Sequence, residues 1–322
     1  MAFHQIELNR AALHGKFSRD LTPILTIASG DTVRFQTLDA GWGVEPHRAD
    51  GSPRGLFTPR DPERDSGHAM CGPVFVEGAE PGMTLEVRID TVQPGAWGFN
   101  TAGGWDSAVN RRLGVADLPG VVHRWTLDSG SMTGTNQHGH TVALRPFMGV
   151  MGLPPDEPGL HPSAPPRVTG GNMDCKELVA GSSLFLPIAV PGGLFSTGDG
   201  HAAQGDGEVS TTAIECPMEQ VELTFILHPA LRITTPRAVT PTGLLTLGFH
   251  QDINEAMYQA LEAMLDWMTA RCALSRQDAL ALASIVVDLR ITQIVNGVCG
   301  VHAVLPHGAL QNIPEHGDSG DH

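Results

Sequence analysis

The residues best suited to chemistry lie in one short segment, residues 196–208. The segment contains Asp199, His201, Asp206 and Glu208, separated largely by glycines. Asp199 and His201 are two residues apart, so in an extended strand their side chains point to the same side. Carboxylate oxygens and an imidazole nitrogen can bind one cation together, and glycines let the backbone approach closely. The segment therefore predicts a metal site, with a surface turn of solvated carboxylates as the alternative.

The spacing Gly198-x-Gly200-x-x-x-Gly205 in the same segment has some likeness to a dinucleotide-binding loop. The acidic residues beside these glycines argue against that function, because Asp199 and Asp206 would repel a pyrophosphate. In addition, the residues after Gly205 lack the apolar spacing of a helix. We therefore do not predict a nucleotide cofactor.

A second polar segment, residues 170–177, contains Asp174, Cys175, Lys176 and Glu177. Cys, Lys and Glu are the catalytic residue types of nitrilase-type amidases. Neighbouring residues of a strand point to opposite faces, however, and cannot readily converge on one carbonyl. We therefore expect that Cys175 is not a nucleophile. Asp174, behind a Gly-Gly-Asn turn, is the better candidate for a ligand or a base.

Two further candidates are isolated in the sequence. His68 precedes a Gly-Pro turn and an apolar strand, where a lone histidine is commonly structural. Glu215 ends an otherwise apolar run. Because an unpaired buried carboxylate is costly, Glu215 must be paired, bound to a ligand or exposed.

The elements that must position these residues are mainly strands. Alternation of polar and apolar residues is typical of half-buried antiparallel strands. It recurs over residues 32–36, 84–92 and 221–227. The more continuous apolar run 183–190 predicts a strand that is buried on both faces. The Pro- and Gly-rich residues 149–171 predict a long loop that either leads into the site or links two domains.

Helical patterns come late in the chain. Asp252 and Glu255 can form a capping box before apolar residues at helical spacing. Ser275 can begin a second helix that runs over residues 279–290. We predict a mainly β protein with added helices (α+β), in which antiparallel strands form a β-sandwich-like core and two helices lie near the C-terminus.

The length of the chain allows one large domain or two small ones. We expect a single domain over residues 1–311, with two β lobes, at about 1–150 and 165–311, as the alternative. The polar residues 312–322 predict a flexible tail.

Composition narrows the class of partner. The 322-residue chain has a net charge of −15 and only 5% aromatic residues, so it lacks the clustered cations and stacking surfaces that bind nucleic acid. A run of about 18 apolar residues, as needed to span a membrane, is absent, and no signal peptide is visible. Five cysteines without a Cys-x-x-Cys pair favour a reducing compartment. We expect a cytoplasmic protein that acts on a small neutral molecule.

Several motifs together resemble the acetamidase/formamidase family. In chain order they are Gly72-Pro73-Val74-x-Val76-Glu77-Gly78-Ala79-Glu80-Pro81-Gly82, Pro146-Phe147-Met148-Gly149-Val150-Met151-Gly152, Gly170-Gly171-Asn172-Met173-Asp174, Leu178-x-x-Gly181, Leu186-Pro187-x-x-Val190 and Gly198-Asp199-Gly200-His201-Ala202-Ala203-Gln204-Gly205-Asp206-Gly207-Glu208. They follow the order of the family, and the last motif is the most specific. Met83 stands where the family has Asp, and the N-terminal residues match less clearly, which leaves the substrate preference open.

The resemblance implies an amidohydrolase of short aliphatic amides, such as formamide or acetamide, with a mainly β, sandwich-like fold. It also implies a homo-oligomer and a divalent metal. Zinc is the first choice, and oxygen-rich ligands leave calcium and manganese open. Carried over by position, the metal candidates are His68, Asp174, Asp199 and His201, and the catalytic candidates are Glu208 and Glu215.

Such a site would hydrolyse an amide without a covalent nucleophile. The metal would polarise the carbonyl and lower the pKa of bound water towards about 7. Glu208 would act as the general base and return the proton to the leaving ammonia, and Glu215 would take the same role or orient a ligand histidine. The alternatives are a non-catalytic β-sandwich that binds a metal or a small ligand, and a hydrolase of a cyclic amide.

Overall fold

Strands dominate the structure, a computed structural model that describes residues 1–311. The tail predicted for residues 312–322 lies outside the described residues. Among residues 1–311, no helix combines the length and the apolar character that crossing a membrane requires.

The first large sheet has nine strands, and all of its neighbouring pairs are antiparallel except β1 with β5. In spatial order the strands are β1 (Phe3–Ile6), β5 (Thr32–Thr37), β18 (Met218–His228), β7 (Thr84–Pro94), β15 (Ser183–Pro187), β19 (Arg237–Thr240), β20 (Gly243–His250), β22 (Cys299–Pro306) and β21 (Asp288–Gln293). The alternating patterns found in the sequence correspond to β5, β7 and β18. In β7, for example, Leu85, Val87 and Ile89 are buried, which confirms their prediction as strand residues that face the core.

The second large sheet has eleven strands and carries most of the candidate residues. Its main path is β11 (Thr141–Ala143), β10 (Thr133–Asn136), β9 (Val121–Asp128), β8 (Trp97–Ala102), β17 (Glu215–Cys216), β16 (Phe195–His201), β12 (Phe147–Gly152) and β14 (Gly170–Asn172). Off this path, β6 (Met70–Val76) pairs with β16, β2 (Leu13–His14) and β4 (Leu25–Ile27). A separate two-stranded sheet joins β3 (Lys16–Phe17) to β13 (His161–Pro162).

The two large sheets share one hydrophobic core. Apolar side chains of both sheets belong to the same buried cluster. Phe195 of β16 packs edge-to-face against Phe225 of β18, with 5.0 Å between the ring centroids. This arrangement confirms the predicted mainly β fold with a sandwich-like core of antiparallel strands.

The helices comprise a 3₁₀ turn (Arg10–Ala12), α1 (Ala108–Leu113), α2 (Ile253–Cys272) and α3 (Arg276–Val286). The starts predicted for the two C-terminal helices are confirmed, since Asp252 caps α2 and Ser275 caps α3 through their side chains. The predicted extension of the second helix to residue 290 is wrong. Residues 288–293 form β21, which pairs with β22 instead. This strand pairing is a tertiary contact that outweighs the local helical pattern.

Two other local predictions differ from the structure. In β15 the burial alternates, with Leu184 and Leu186 buried and Phe185 partly exposed, so the strand is buried on one face only. The loop predicted from residue 149 begins later, because β12 continues to Gly152. Each large sheet contains strands from both halves of the chain, and the division of the chain into domains stays a prediction.

Candidate active site

Strand β16 carries two of the predicted ligands through the eleven-stranded sheet. All seven of its residues are buried, and it pairs with β6, β12 and β17. Asp199 adopts a left-handed backbone conformation, with φ of 58°. The strand thus places the Asp199 carboxylate and the His201 imidazole in the protein interior, where each needs a partner.

Three more carboxyl side chains surround this pair. Asp174 follows β14, Glu208 lies in the segment after β16, and Glu215 begins β17. The ligand atoms of Asp174, Asp199 and His201 lie within 4.8 Å of one another, and the same holds for His201, Glu208 and Glu215. All five side chains are buried. We call these five residues the carboxylate–histidine cluster.

His201 lies at the centre of the carboxylate–histidine cluster. Its Nε2 is 3.3 Å from Asp199 Oδ1 and 3.3 Å from Glu215 Oε1. Its Nδ1 is 3.9 Å from Asp174 Oδ1. The ring of Phe147 packs edge-on against the imidazole at 5.1 Å between centroids and closes that side of the site.

The space inside the cluster depends on a glycine in the neighbouring strand. In β12, Met148 pairs with Gly200 and Val150 with Gly198, which places Gly149 opposite Asp199. A Cβ atom on Gly149 would lie 2.6 Å from Asp174 Oδ1, 2.7 Å from Asp199 Oδ2 and 3.0 Å from His201 Cε1. The side chains of Asp174, Asp199 and His201 therefore converge on the volume that any other residue would occupy.

Buried polar atoms without hydrogen-bond partners indicate which kind of ligand this site can bind. Each residue of the carboxylate–histidine cluster has one buried atom without a hydrogen-bond partner among residues 1–311: Asp174 Oδ1, Asp199 Oδ1, His201 Nε2, Glu208 Oε2 and Glu215 Oε2. Leaving such atoms unpaired is costly, and like charges among them add repulsion. One nitrogen and several carboxylate oxygens match the ligands of zinc and of other divalent cations. The cluster is therefore compatible with a divalent metal.

The ionisation of the cluster is strongly perturbed. Burial raises the pKa of Glu208 and of Glu215 to about 8, and it raises the pKa of Asp174 well above its usual range. Burial also raises the pKa of Asp199, but the electrostatic effects of His201 and His68 lower it by more. The pKa of Asp199 therefore lies below its ordinary value. The pKa of His201 is raised despite burial, because Glu215 and Asp199 favour the charged ring. Without a cation the cluster retains protons that a bound cation would displace.

Two uncharged side chains complete the site and were not predicted from the sequence. Gln204 accepts from His201 Nδ1 at 2.9 Å and donates to the backbone carbonyl of Asp174 at 2.7 Å. Asn296, in the loop after β21, donates to Asp174 Oδ2. Gln204 belongs to the conspicuous segment 196–208, but it carries no charge to single it out. Asn296 precedes Gly297, and an Asn-Gly pair indicates a turn but not a contact with a buried carboxylate.

His68 and Asp206 lie apart from these contacts. Within residues 1–311, His68 belongs to neither group of ligand atoms. Its Nδ1 and its backbone nitrogen both contact Ser163 Oγ at 3.0 Å. His68 as a metal ligand stays a prediction. Asp206 forms an ion pair with Lys176 at 3.0 Å instead.

The structure also bears on the functions that the sequence argued against. Cys175 is fully buried, and burial raises the pKa of its thiol to about 12, so it lacks the thiolate character of a nucleophile. Glu177 forms ion pairs with Arg145 and Arg290 rather than supporting Cys175. Residues 198–201 belong to a buried strand, which a phosphate-binding loop would not form.

A cleft of about 300 Å³ borders the cluster. Trp125, Val142 and Ile214 contribute apolar walls, and Gln204 contributes an amide. Glu208 is the cluster residue that lines this cleft. Asp206 also lines the cleft, so a small molecule there would lie beside one carboxylate of the cluster and one outside it.

Comparison with known proteins identifies a family and several relatives of this chain. The sequence model of the Acetamidase/Formamidase family matches residues 3–162 and 160–310. A formamidase of Methylophilus methylotrophus is 28% identical over 247 residues, which cover 62% of this chain and 60% of that protein. An acetamidase of Mycolicibacterium smegmatis is 26% identical over 253 residues, which cover 61% of each chain. The chain thus spans less than two thirds of the length of these relatives.

A solved structure extends the likeness over nearly the whole chain. The crystal structure of an acetamidase from Bacillus halodurans is 26% identical, with a TM-score of 0.79, and the match covers 95% of this chain and 97% of that one. Together with the family match over nearly all described residues, this likeness accounts for the motifs around the carboxylate–histidine cluster. The chain belongs to the acetamidase/formamidase family.

Proposed function

We propose that this protein is a metal-dependent amidohydrolase that cleaves the C–N bond of a short aliphatic amide to a carboxylate and ammonia. The observation that carries the proposal is the carboxylate–histidine cluster, in which every member has a buried polar atom without a hydrogen-bond partner among residues 1–311. A buried cluster of this composition costs stability unless a cation or substrate uses it. Family membership makes an amide the natural substrate.

In this mechanism Asp174, Asp199 and His201 would hold the cation. When bound, the cation would polarise the substrate carbonyl and lower the pKa of water at the site. The protein's own task is then to move protons and to orient the amide. Amide hydrolysis requires a base for the attacking water and an acid for the departing nitrogen.

Glu208 is the residue that we assign to proton transfer. It lines the cleft, and its Oε2 is buried without a hydrogen-bond partner in the part of the chain that the structure describes. Its carboxylate would accept a proton from water as the C–O bond forms, and would then donate that proton to the nitrogen as the C–N bond breaks. Glu215 accepts a hydrogen bond from the Ala213 backbone at 3.0 Å and lies beside His201. We therefore assign Glu215 to orienting the imidazole.

The test is ammonia release from formamide, acetamide and propionamide, before and after treatment with a chelator. We expect turnover that chelation abolishes and zinc restores. A parallel assay with a five-membered cyclic amide addresses the alternative of a cyclic substrate. Full turnover in protein shown to be metal-free by elemental analysis would refute metal dependence. Metal binding without turnover of any amide would favour the non-catalytic alternative.

Variants test the role of Glu208 separately. Glu208→Gln is expected to lower kcat by about 10²- to 10⁴-fold, since it removes the proton acceptor. Glu219→Gln is the matched control, because Glu219 is exposed on β18. A Glu208→Gln variant with wild-type kcat would refute this assignment.

We also propose zinc as the cation, with manganese and calcium as alternatives, and a cytoplasmic homo-oligomer as the functional form. One imidazole among several carboxylates favours zinc over calcium. All five cysteines are free of disulfides, which suits a reducing compartment. Elemental analysis of the purified protein and light scattering during size-exclusion chromatography test the metal and the oligomer.

A further inference from the structure

Gln204 contacts two residues of the carboxylate–histidine cluster at once. One end of its amide faces the backbone carbonyl of Asp174, at 2.7 Å, and the other faces Nδ1 of His201, at 2.9 Å. A carbonyl oxygen can only accept hydrogen bonds, so the NH₂ group must be the end that faces Asp174. The amide oxygen therefore faces His201, and the imidazole Nδ1 must carry the hydrogen.

This hydrogen bond determines which ring nitrogen can bind a cation. In a neutral imidazole with a hydrogen on Nδ1, the lone pair resides on Nε2. Nε2 is the atom that lies 3.3 Å from Asp199 Oδ1 and Glu215 Oε1 and that lacks a hydrogen-bond partner among residues 1–311. Once a bound cation has displaced the Nε2 proton of the charged ring, the lone pair therefore points toward the carboxylates that would share the cation.

Without Gln204 the same surroundings would favour the opposite tautomer. Two carboxylates close to Nε2 would attract the single ring hydrogen to that nitrogen, where it would block a cation. Nδ1 is 3.9 Å from Asp174 Oδ1, beyond hydrogen-bond distance, and would lose its acceptor. The carboxylate neighbours of His201 therefore favour the Nε2–H tautomer, whereas the uncharged amide of Gln204 stabilises the Nδ1–H tautomer.

We propose that Gln204 is a positioning residue for the metal centre, which fixes the Nδ1–H tautomer of His201 and, through the backbone of Asp174, the placement of a second ligand. This inference rests on the cation site of the proposed function. It goes beyond that function because it assigns to an uncharged residue, Gln204, the choice of which His201 nitrogen can bind the cation. The two hydrogen bonds join segments that are 30 residues apart in the sequence.

Zinc affinity, measured by titration against a competing chelator, is the first test, since it needs no amide substrate. Gln204→Met removes both hydrogen bonds at similar length, and we expect it to weaken zinc binding by about 10- to 100-fold. Gln204→Glu keeps an acceptor for Nδ1–H but loses the donor to Asp174. Its affinity should therefore lie between those of Gln204→Met and the wild type. Gln5→Met, at an exposed position of β1, is the control and should bind as the wild type does.

A spectroscopic measurement separates positioning from general damage to the fold. In zinc-loaded protein with ¹⁵N-labelled histidine, the Nδ1–H of His201 should give a slowly exchanging signal, which His201→Gln identifies by its loss. Gln204→Met should lose this protection while its unfolding temperature stays close to that of the control. An unchanged signal and an unchanged affinity in Gln204→Met would overturn the proposal, as would a Gln204→Glu variant that binds no better than Gln204→Met.

The outcomes also distinguish this proposal from the proposed function. Tight zinc binding by the wild type without ammonia release would count against the amidase function and leave the role of Gln204 open to the same test. Failure of the wild type to bind zinc, manganese or calcium would overturn both proposals.

Discussion

Gly149→Ala tests whether the carboxylate–histidine cluster encloses a cation. The added Cβ would lie 2.6 Å from Asp174 Oδ1 and 2.7 Å from Asp199 Oδ2, whereas ordinary contacts begin at 3.4 Å. To restore that distance, the two oxygens must retreat by about 0.8 and 0.7 Å, a strain of the kind that overpacking imposes. Metal sites tolerate deviations of only about 0.2 Å. We therefore expect zinc affinity to fall by at least about 100-fold, which corresponds to about 2.8 kcal/mol.

The assay is zinc titration of the metal-free variant, together with its thermal unfolding. Gly205→Ala is the matched control, since a Cβ there meets nothing within 4 Å although the residue lies next to Gln204. Overpacking alone costs about 1–3 kcal/mol of folding stability, and the unfolding curve measures that part separately. Wild-type zinc affinity in Gly149→Ala, or an equal loss in Gly205→Ala, would refute the reasoning.

Three further predictions concern residues outside the cluster. Cys175→Ser should keep ammonia release within about twofold of the wild type, because burial raises the pKa of this thiol to about 12; loss of activity in a folded variant would restore a cysteine mechanism. Asn296→Leu removes the donor to Asp174 Oδ2 and should weaken zinc binding by about 10-fold in the same titration, whereas an unchanged affinity would show that Asn296 is dispensable. Burial lowers the pKa of His14 from 6.5 to about 4, so the unfolded chain binds the proton first and the free energy of unfolding falls as the pH drops through this range. His14→Gln should remove roughly 3 kcal/mol of this acid sensitivity, as urea unfolding at two pH values measures, and an unaltered pH slope would contradict the assignment.

The fold was predictable from the sequence where one face of a strand meets the core. The alternation in β7 and β18 marks an apolar face in the core and a polar face, and each strand pairs along its length with the other. The pattern failed for β21, because residues 288–290 have helical spacing but pair with a strand that lies beyond Gly297. A pairing of this kind depends on partners that no local pattern includes.

The site was predictable where charge stands out against small or apolar neighbours. Asp199 and His201 were conspicuous among glycines, and Glu215 at the end of an apolar run. Gln204 and Asn296 were not, because an amide is common in loops and its role depends on which atoms it meets. Gly149 was predicted only as the start of a loop, although a glycine within an otherwise apolar strand can mark a close approach.

Three of the four cluster acids also share an uncommon backbone, since Asp174, Asp199 and Glu208 all have positive φ angles. A left-handed conformation costs roughly 1–2 kcal/mol at a residue other than glycine. Selection for stability alone would have placed glycine at such positions. Replacing these acids by glycine would relieve both the backbone and the repulsion among buried carboxylates. The metal-free protein is therefore expected to gain stability from the same changes that remove its function, which makes this site the region where folding and activity make opposite demands on the sequence.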